Sequence, residues 1–298
     1  MSLILEPWIA KLLISQMLRY PYGVATDSSG NVYVSDSGHY LIKKYQNDGE
    51  YIRKWGSPGS GDDQISGPRG ITVDSSNNVF IADSGNCRIK KTTNTGGFIT
   101  KWGKLGTGDG QFFNYPYGVA VDSSGNVYVA DAGNNRIQKF QNDGTWIREI
   151  TNGFNYPTGV AVDSSDNLFV ADNHNHQIQK LKAGGTPITK WGKLGKAGGL
   201  GDVQFWYPMD VAVDSSGNVY VADSYNNRIQ KFQNDGTYIR QWGKFGVAGG
   251  LGDVQFNSPR GIAVDSSTNV FVADTLNDRI QKFQNDGTFI TKWGLPSP

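Results

Sequence analysis

The stretch YPYGVAVDSSGNVYVADAGNNRIQKFQNDGTWIREI at residues 115–150 decides the fold. It contains four short runs that are rich in β-branched and aromatic residues or alternate apolar with polar positions: GVAVD, NVYVAD, RIQKFQ and TWIREI. The joints DSSGN and QNDGT contain the Asp, Asn and Gly that tight hairpin turns need. The stretch therefore predicts four strands, with antiparallel pairing of the first with the second and of the third with the fourth.

This unit occurs six times. The segment RIQKFQNDGT is repeated letter for letter at 228–237 and 279–288, and the aspartate of the first turn returns at spacings of 41 to 51 residues, at Asp27, Asp74, Asp122, Asp163, Asp214 and Asp265. Six four-stranded units predict an all-β fold, a six-bladed β-propeller of four-stranded antiparallel blades, because closing the ring hides the strand edges. The most continuously apolar strand, the first, is expected at the centre and the fourth outermost.

The six units make residues 20–298 one propeller domain and leave 1–19 as an N-terminal segment. Unit six has its own fourth strand, TFITKWG at 288–294, so it could close the ring alone. The run EPWIAKLLI at 6–14 resembles the fourth strand of unit three, and we expect it as an extra outer strand on the last blade. Because Glu6 and Lys11 interrupt this run and no basic residue precedes it, we interpret it as mature sequence.

Composition excludes several classes of protein. Twenty-eight basic and 27 acidic residues give a net charge of +1, which provides no overall field toward nucleic acid or an anionic membrane. The single Cys87 excludes an intramolecular disulfide and a cysteine-rich zinc site. No run approaches the ~18 apolar residues of a membrane span. With 39 glycines and 18% charged residues, the chain is typical of neither a disordered protein nor a coiled coil.

The composite pattern P-x-G-[IV]-A-V-D, G-N-[VL]-[YF]-V-A-D, N-x-R-I-Q-K-F and D-G-x-[YFW]-I-x-x-W-G, followed by G-D-x-Q-F, resembles NHL repeats over residues 20–294. The resemblance implies a six-bladed propeller, in agreement with the count of units. Its similarity to secreted prokaryotic arrays implies an extracellular or cell-envelope location.

Two recurring features are interpreted as structural. In four units the aspartate that ends the second strand precedes an arginine by five residues, as in Asp83 and Arg88; a catalytic pair is needed once, so these are predicted to be ion pairs that hold the blades. The tryptophans at the end of the fourth strand are predicted to pack between blades, at Trp55, Trp102, Trp191, Trp242 and Trp293. The DSSGN segment supplies one carboxylate per turn and is interpreted as a turn rather than a calcium loop.

Units one and four lack the arginine, with Leu41 and Gln177 in its place, and they alone contain histidines: His39, His174 and His176. The HNH segment at 174–176 could belong to a metal or acid–base site, or be a polar surface loop. A zinc site needs three or four convergent ligands, and no carboxylate or thiol is placed to complete one. We therefore predict no metal site, no catalytic residue and no cofactor.

The NHL lyases that cleave α-hydroxyglycine peptides have histidine ligands on their inner strands. The inner strands here are GVATD, GITVD, GVAVD, GVAVD, DVAVD and GIAVD, without histidine. This departs from the lyase pattern, and a metal-dependent lyase or hydrolase with its site in the central channel is retained only as an alternative.

Function is expected where the units differ, because the shared positions are explained by the blade itself. The position after the repeated proline varies most and precedes the innermost strand, so its residues should encircle one mouth of the channel: Tyr22, Arg69, Tyr117, Thr158, Met209 and Arg260. The loops between the second and third strands should open on the same face and add His174, His176 and several asparagines. Asp210 occupies the position at which the other five units have glycine. It could compensate the charge of a nearby arginine, contact a polar part of a ligand, or be a tolerated substitution in a duplicated blade.

These residues predict a shallow cup suited to a protein, peptide or glycan ligand, and hence a ligand-binding or protein-interaction module. The alternative of a different class is an NHL propeller that binds single-stranded RNA. In that case Tyr22, Arg69, Tyr117 and Arg260 would supply stacking and phosphate contacts, although the net charge of +1 disfavours it.

Overall fold

The protein, seen in a computed structural model, is described over residues 17–195, 201–246 and 252–294. It forms six four-stranded antiparallel sheets, each with its strands in chain order. Blades 1 to 3 consist of β1 (Pro21–Thr26), β2 (Val32–Asp36), β3 (Leu41–Tyr45) and β4 (Tyr51–Trp55); β5 (Pro68–Val73), β6 (Val79–Asp83), β7 (Arg88–Thr92) and β8 (Phe98–Trp102); and β9 (Pro116–Val121), β10 (Val127–Asp131), β11 (Arg136–Phe140) and β12 (Trp146–Ile150).

The remaining blades follow the same plan. Blades 4 to 6 consist of β13 (Pro157–Val162), β14 (Leu168–Asp172), β15 (Gln177–Leu181) and β16 (Pro187–Trp191); β19 (Pro208–Val213), β20 (Val219–Asp223), β21 (Arg228–Phe232) and β22 (Tyr238–Trp242); and β25 (Pro259–Val264), β26 (Val270–Asp274), β27 (Arg279–Phe283) and β28 (Phe289–Trp293). The connections after blades 4 and 5 add short parallel pairs, β17 (Lys193–Leu194) with β18 (Gln204–Phe205) and β23 (Lys244–Phe245) with β24 (Gln255–Phe256). No helix in the described ranges is long and apolar enough to cross a bilayer. The six sheets confirm the predicted six-bladed propeller of four-stranded antiparallel blades.

The first hairpin turn of each blade is built around the aspartate of DSSGN. In blade 1 the Oδ1 atom of Asp27 accepts the backbone N–H of Ser29 and of Asn31, at 3.0 and 2.9 Å. Its Oδ2 atom accepts the hydroxyl of buried Tyr33 at 2.9 Å. The carboxylate is therefore used to close the turn, as the sequence predicts.

The first strands form the inner ring, in which each lies beside its two neighbours and β25 returns to β1. Glycine is required where these strands approach most closely: a Cβ on Gly23 would lie 2.3 Å from the carbonyl oxygen of Arg69, and one on Gly261 would lie 2.3 Å from that of Tyr22. The inner strands therefore leave a narrow channel lined by small side chains and backbone.

Each blade packs on the next through the end of its fourth strand. The ring of Trp293 in blade 6 covers Gly49, in the QNDG turn of blade 1, and a Cβ on this glycine would lie 2.8 Å from the indole. The same contact joins Trp242 to Gly287 and, in blade 3, Ile150 to Gly185. The predicted packing role of the tryptophans is confirmed.

Residues 17–19 form the connection that enters blade 1. Leu18 is buried against Trp293, and its backbone N–H reaches the carbonyl oxygen of Gly294 at 3.4 Å. The N–H of Arg19 is accepted by Oδ1 of Asp36 at 2.9 Å. In each of the other five blades, a backbone N–H of the connection that leads into the blade makes the same bond to the equivalent aspartate. The ring is therefore closed by contacts between the two ends of the chain. The extra strand expected at 6–14 lies outside the described residues and stays a prediction.

Candidate ligand-binding face

A residue in the left-handed conformation precedes the first proline of every blade. Its φ lies between +48° and +78°, and it is Tyr20, Gly67, Tyr115, Tyr156, Tyr207 or Ser258. A side chain of the preceding blade holds this conformation in several cases: Oδ1 of Asn135 accepts the N–H of Tyr156 at 2.8 Å, and Nδ1 of His176 accepts that of Tyr207 at 3.2 Å. The positive φ is unfavourable for tyrosine, so the surrounding contacts must stabilise it.

The residues after the prolines meet around the channel mouth, as the sequence predicts. Five of the six, together with Asp210, line one small cavity there: Tyr22, Tyr117, Thr158, Met209 and Arg260. Arg69 joins them through its guanidinium, which lies over the rings of Tyr22 and Tyr117. Thr158 is buried and its hydroxyl donates to the carbonyl oxygen of Pro208 at 3.3 Å, so it contributes to packing more than to the surface.

Tyrosine rings hold the two arginines. The guanidinium carbon of Arg69 lies 3.9 Å from the ring centre of Tyr117, 4.7 Å from that of Tyr115 and 5.5 Å from that of Tyr22. The guanidinium carbon of Arg260 lies 4.9 Å from the ring centre of Tyr22, so both arginines contact this tyrosine. Burial raises the pKa of the Tyr22 hydroxyl, against the opposing effect of the two positive charges. These are cation–π contacts that orient the guanidinium groups.

A cavity of about 510 Å³ extends from Tyr22 toward blades 4 and 5. His174 forms part of its wall, stacked on Tyr156 with the ring centres 4.8 Å apart and the planes 11° apart. On the other side of Tyr22, a cavity of about 330 Å³ lies above blades 1 and 2 and is bordered by Tyr20, Tyr115 and Arg69. We call this surface the tyrosine face and define it as Tyr20, Tyr22, Tyr115, Tyr117, Tyr156, Tyr207, Tyr225, His174, Arg69 and Arg260.

The other histidines support the loops. His176 occupies the position of Asn135 and accepts a backbone N–H as that asparagine does, with its ring edge-on to Tyr207 at 4.8 Å. His39 contacts Oδ2 of Asp36 through Nδ1 at 2.9 Å. Within the described ranges, no group of three or more His, Cys, Asp or Glu side chains is placed to hold a metal ion.

Most asparagines of the loops between second and third strands do not line the face, Asn173 in the cavity of about 510 Å³ being the exception. The Nδ2 atom of Asn226 donates to both carboxylate oxygens of Asp223 and to the carbonyl oxygen of Gly195, and Asn86, Asn134, Asn175 and Asn277 bond in the same manner. The expectation that these amides form the rim is wrong, because each is used to fasten its own loop to the entering connection.

The recurring Asp–Arg pairs are structural, as predicted. Nε of Arg228 lies 2.8 Å from Oδ2 of Asp223, and its Nη2 donates to the carbonyl oxygen of Gln204 at 2.7 Å. Both side chains are almost fully buried. Burial raises the pKa of Asp223, which the arginine opposes. The pair thus ties the blade to the connection that enters it.

Asp210 lies where the channel opens onto the tyrosine face. It lines both the channel and the small cavity at the channel mouth. Its Oδ1 atom accepts the N–H of Val211 at 2.9 Å and its Oδ2 atom accepts that of Ile262 in the next blade at 3.1 Å. Burial raises the pKa of this carboxyl to about 7. Among the described side chains, no arginine forms an ion pair with it, so it does not compensate one.

Sequence reasoning missed the residues before the prolines, which contribute four of the ten residues of this face. The dipeptide Tyr-Pro occurs at Tyr20, Tyr115, Tyr156 and Tyr207 and was the available signal. These tyrosines lie outside any strand, so their orientation depends on the turn that leads into the propeller centre.

Comparison with known proteins shows the same repeat and the same fold. The human NHL repeat-containing protein 3 is 35% identical over 107 residues, which cover 34% of this chain and 30% of that protein. A streptogramin B lyase superimposes with a TM-score of 0.65 at 19% identity, over 94% of this chain and 84% of the lyase. A chain of a nidogen–laminin complex gives 0.65 at 17% identity, over 85% and 90%.

The two structural likenesses show the fold alone, and the chain spans less than a third of the human relative. The NHL repeat itself matches residues 18–45, 66–91, 113–140, 154–181, 205–232 and 256–283, one match in each blade and together more than half of the chain. The protein therefore belongs to the NHL-repeat family.

Proposed function

We propose that this protein is a binding module that recognises a peptide or a peptide segment of another protein on its tyrosine face. The observation that carries the proposal is the convergence of tyrosine and arginine side chains from all parts of the ring at one channel mouth. Tyrosine and arginine are enriched at the centres of protein interfaces and account for much of their binding energy.

Several tyrosine rings of the face are exposed to solvent and are also held in place by contacts with other residues. Tyr20, Tyr115 and Tyr225 expose 48%, 42% and 53% of their surface, whereas Tyr22 and Thr158 at the channel mouth are buried. The N–H of Tyr20 is accepted by Oδ1 of Asp278 in blade 6 at 2.6 Å, and the guanidinium of Arg69 in blade 2 lies over the ring of Tyr115. Tyr225 packs edge-on to Tyr207 of its own blade. A preordered surface of this kind loses little conformational entropy when it binds.

Two comparisons bear on the choice of function. A chain of a nidogen–laminin complex has this fold, which supports a role in contacts between proteins. The streptogramin B lyase also has it, so the fold is compatible with an enzyme as well. The binding proposal rests on the side chains at the mouth rather than on either likeness.

Selection of random peptides displayed on phage against the immobilised protein tests the proposal. Selected peptides should lose at least about 100-fold in affinity for the triple variant Arg69→Ala, Tyr117→Ala, Arg260→Ala, since interface anchors contribute about 2 kcal/mol or more each. The matched control is Arg53→Ala, Phe98→Ala, Arg148→Ala, which removes the same residue classes from exposed fourth strands. Binding that survives the first variant, or fails in the control, would place the site elsewhere.

A further inference from the structure

We propose that the tyrosine face holds a carboxylate of an acidic peptide between Arg69 and Arg260. This deepens the proposed function and rests on it. It names the chemical class of the ligand, whereas the proposal above names only the surface.

The first argument is the pairing of the arginines. Arg88, Arg136, Arg228 and Arg279 each form an ion pair with the aspartate of their own blade. In the part of the chain that the structure describes, no carboxylate pairs with Arg69 or Arg260. Apart from Asp210, whose carboxylate bonds to backbone, the lining residues of the cavities on this face contain no acid.

The second argument is an unused donor. The Nη1 atom of Arg69 is buried and makes no hydrogen bond of good geometry to a described residue, although the guanidinium interacts with the Tyr156 hydroxyl. A buried donor without an acceptor costs about 1–3 kcal/mol, and more for a charged group. A ligand oxygen that accepts this bond would recover that cost, which gives a carboxylate an advantage over a neutral group.

The third argument is preorganisation. Because both guanidinium groups contact the ring of Tyr22, their carbons lie no farther apart than the sum of their distances to the ring centre, 5.5 and 4.9 Å. Tyr115 and Tyr117 also contact Arg69, which restricts its rotamers before any ligand arrives. Planar guanidinium groups held in place suit bidentate bonds to a carboxylate.

The charge of the face favours one anionic group over a polyanion. The residues that line its three cavities include two arginines and no lysine, and Asp210 contributes a titratable acid. Proteins that bind single-stranded nucleic acid neutralise several phosphates along a basic groove. The ring of Tyr22 is already in contact with two guanidinium groups and is itself buried, so it does not offer a free surface to a base.

The test uses the phage-selected peptides, synthesised in three matched forms: with a free C-terminal carboxylate, with a C-terminal amide, and with every internal Asp and Glu replaced by Asn and Gln. Titration calorimetry measures each form against the wild-type protein and the variants Arg69→Gln and Arg260→Gln. We expect removal of one carboxylate source to weaken binding at least about tenfold, and each variant to cause a similar loss. The form that fails identifies a terminal or a side-chain carboxylate.

Controls separate this proposal from the function on which it rests. Arg53→Gln removes an exposed arginine from β4 and should leave the affinity unchanged. Peptides that bind equally in all three forms, or bind Arg69→Gln and Arg260→Gln as well as wild type, overturn the carboxylate site while the binding module stands. If no peptide is selected at all, both proposals fail.

A decamer of uridine serves as the nucleic-acid probe. Two results together would overturn the proposal of a peptide ligand: tighter binding of this RNA than of the selected peptides, and a steep fall in its affinity between roughly 50 and 200 mM salt. Such a fall is expected when several phosphates are neutralised and their counterions are released. We expect its binding to be weaker than that of the acidic peptides at every salt concentration.

Discussion

The carboxylate of Asp210 in blade 5 accepts the backbone N–H of Ile262 in blade 6 at 3.1 Å, and so links these two neighbouring blades at the channel mouth. Five blades have glycine at this position because a Cβ would meet the backbone of the next inner strand. At the junction of blades 5 and 6 the acid occupies that space. Its charge has no cationic partner among the residues that the structure describes, and the titration of this buried carboxyl makes the junction sensitive to pH.

We expect stability to fall as pH rises through this group's titration. Burial raises the pKa of Asp210 from 3.8 to about 7, so the folded protein holds a proton that the unfolded chain has lost between these values. The free energy of unfolding therefore declines from pH 4 toward pH 7 on this account. The variant Asp210→Asn should lack that decline, and at pH 8 its free energy of unfolding should exceed that of the wild type by on the order of 2 kcal/mol. Urea unfolding at pH 5 and pH 8 measures the difference, with exposed Asp63→Asn as the control; an unchanged slope would contradict it.

The buried pair of Arg228 and Asp223 should tolerate a neutral hydrogen-bond donor better than an apolar side chain. Blade 4 provides the precedent, since Nε2 of Gln177 donates to Oδ2 of Asp172 at 2.7 Å. Arg228→Met should cost about 3–5 kcal/mol, because it leaves Asp223 buried with a weakened set of donors. Arg228→Gln should cost on the order of 1 kcal/mol. Equal losses in urea unfolding would show that the charge, rather than the hydrogen bond, is required.

The contact of Trp242 with Gly287 should not accept a methyl group. A Cβ at Gly287 would lie 2.8 Å from the indole, and its φ of +87° is unfavourable for alanine. Gly287→Ala should therefore lower the free energy of unfolding by about 2–4 kcal/mol. Gly153→Ala is the matched control, with a φ of +63° and no atom within 4 Å of its Cβ, and should cost only about 1–2 kcal/mol. If both variants lose the same stability, the indole contact is not limiting.

Tyr207 should matter for binding but little for folding. Its φ is +52°, and blade 2 has Gly67 with φ +53° at the same position. Tyr207→Gly relieves this conformation and keeps the N–H that His176 accepts, so we expect a melting temperature close to wild type. Affinity for phage-selected peptides should fall at least about tenfold, while Tyr207→Phe should keep it. A variant that unfolds, or one that binds normally, would refute the assignment.

Much of the blade could be predicted because its causes are local. The alternation in RIQKFQ, the turn residues of DSSGN and the repeat of Trp242 and its equivalents each act within one unit or between successive units. The residues after the prolines could be placed at the channel mouth from their position at the start of the first strand of each unit, as Arg69 and Arg260 show. The roles of His176 and of Asn226 could not be predicted, since a polar residue in a loop can face the ligand or its own backbone, and only the neighbouring chain decides.

By itself, the sequence determined the number of blades, the order of strands and the glycines that let the inner strands meet, because these follow from periodicity and from the space that a Cβ needs. The tertiary structure alone decided the face: it oriented the tyrosines at positive φ, placed the guanidinium groups of Arg69 and Arg260 over the ring of Tyr22, and left both without an acidic partner in the described chain. The contact of Arg69 with Tyr22 joins successive blades, whereas that of Arg260 with Tyr22 arises only when the ring closes and brings blade 6 against blade 1.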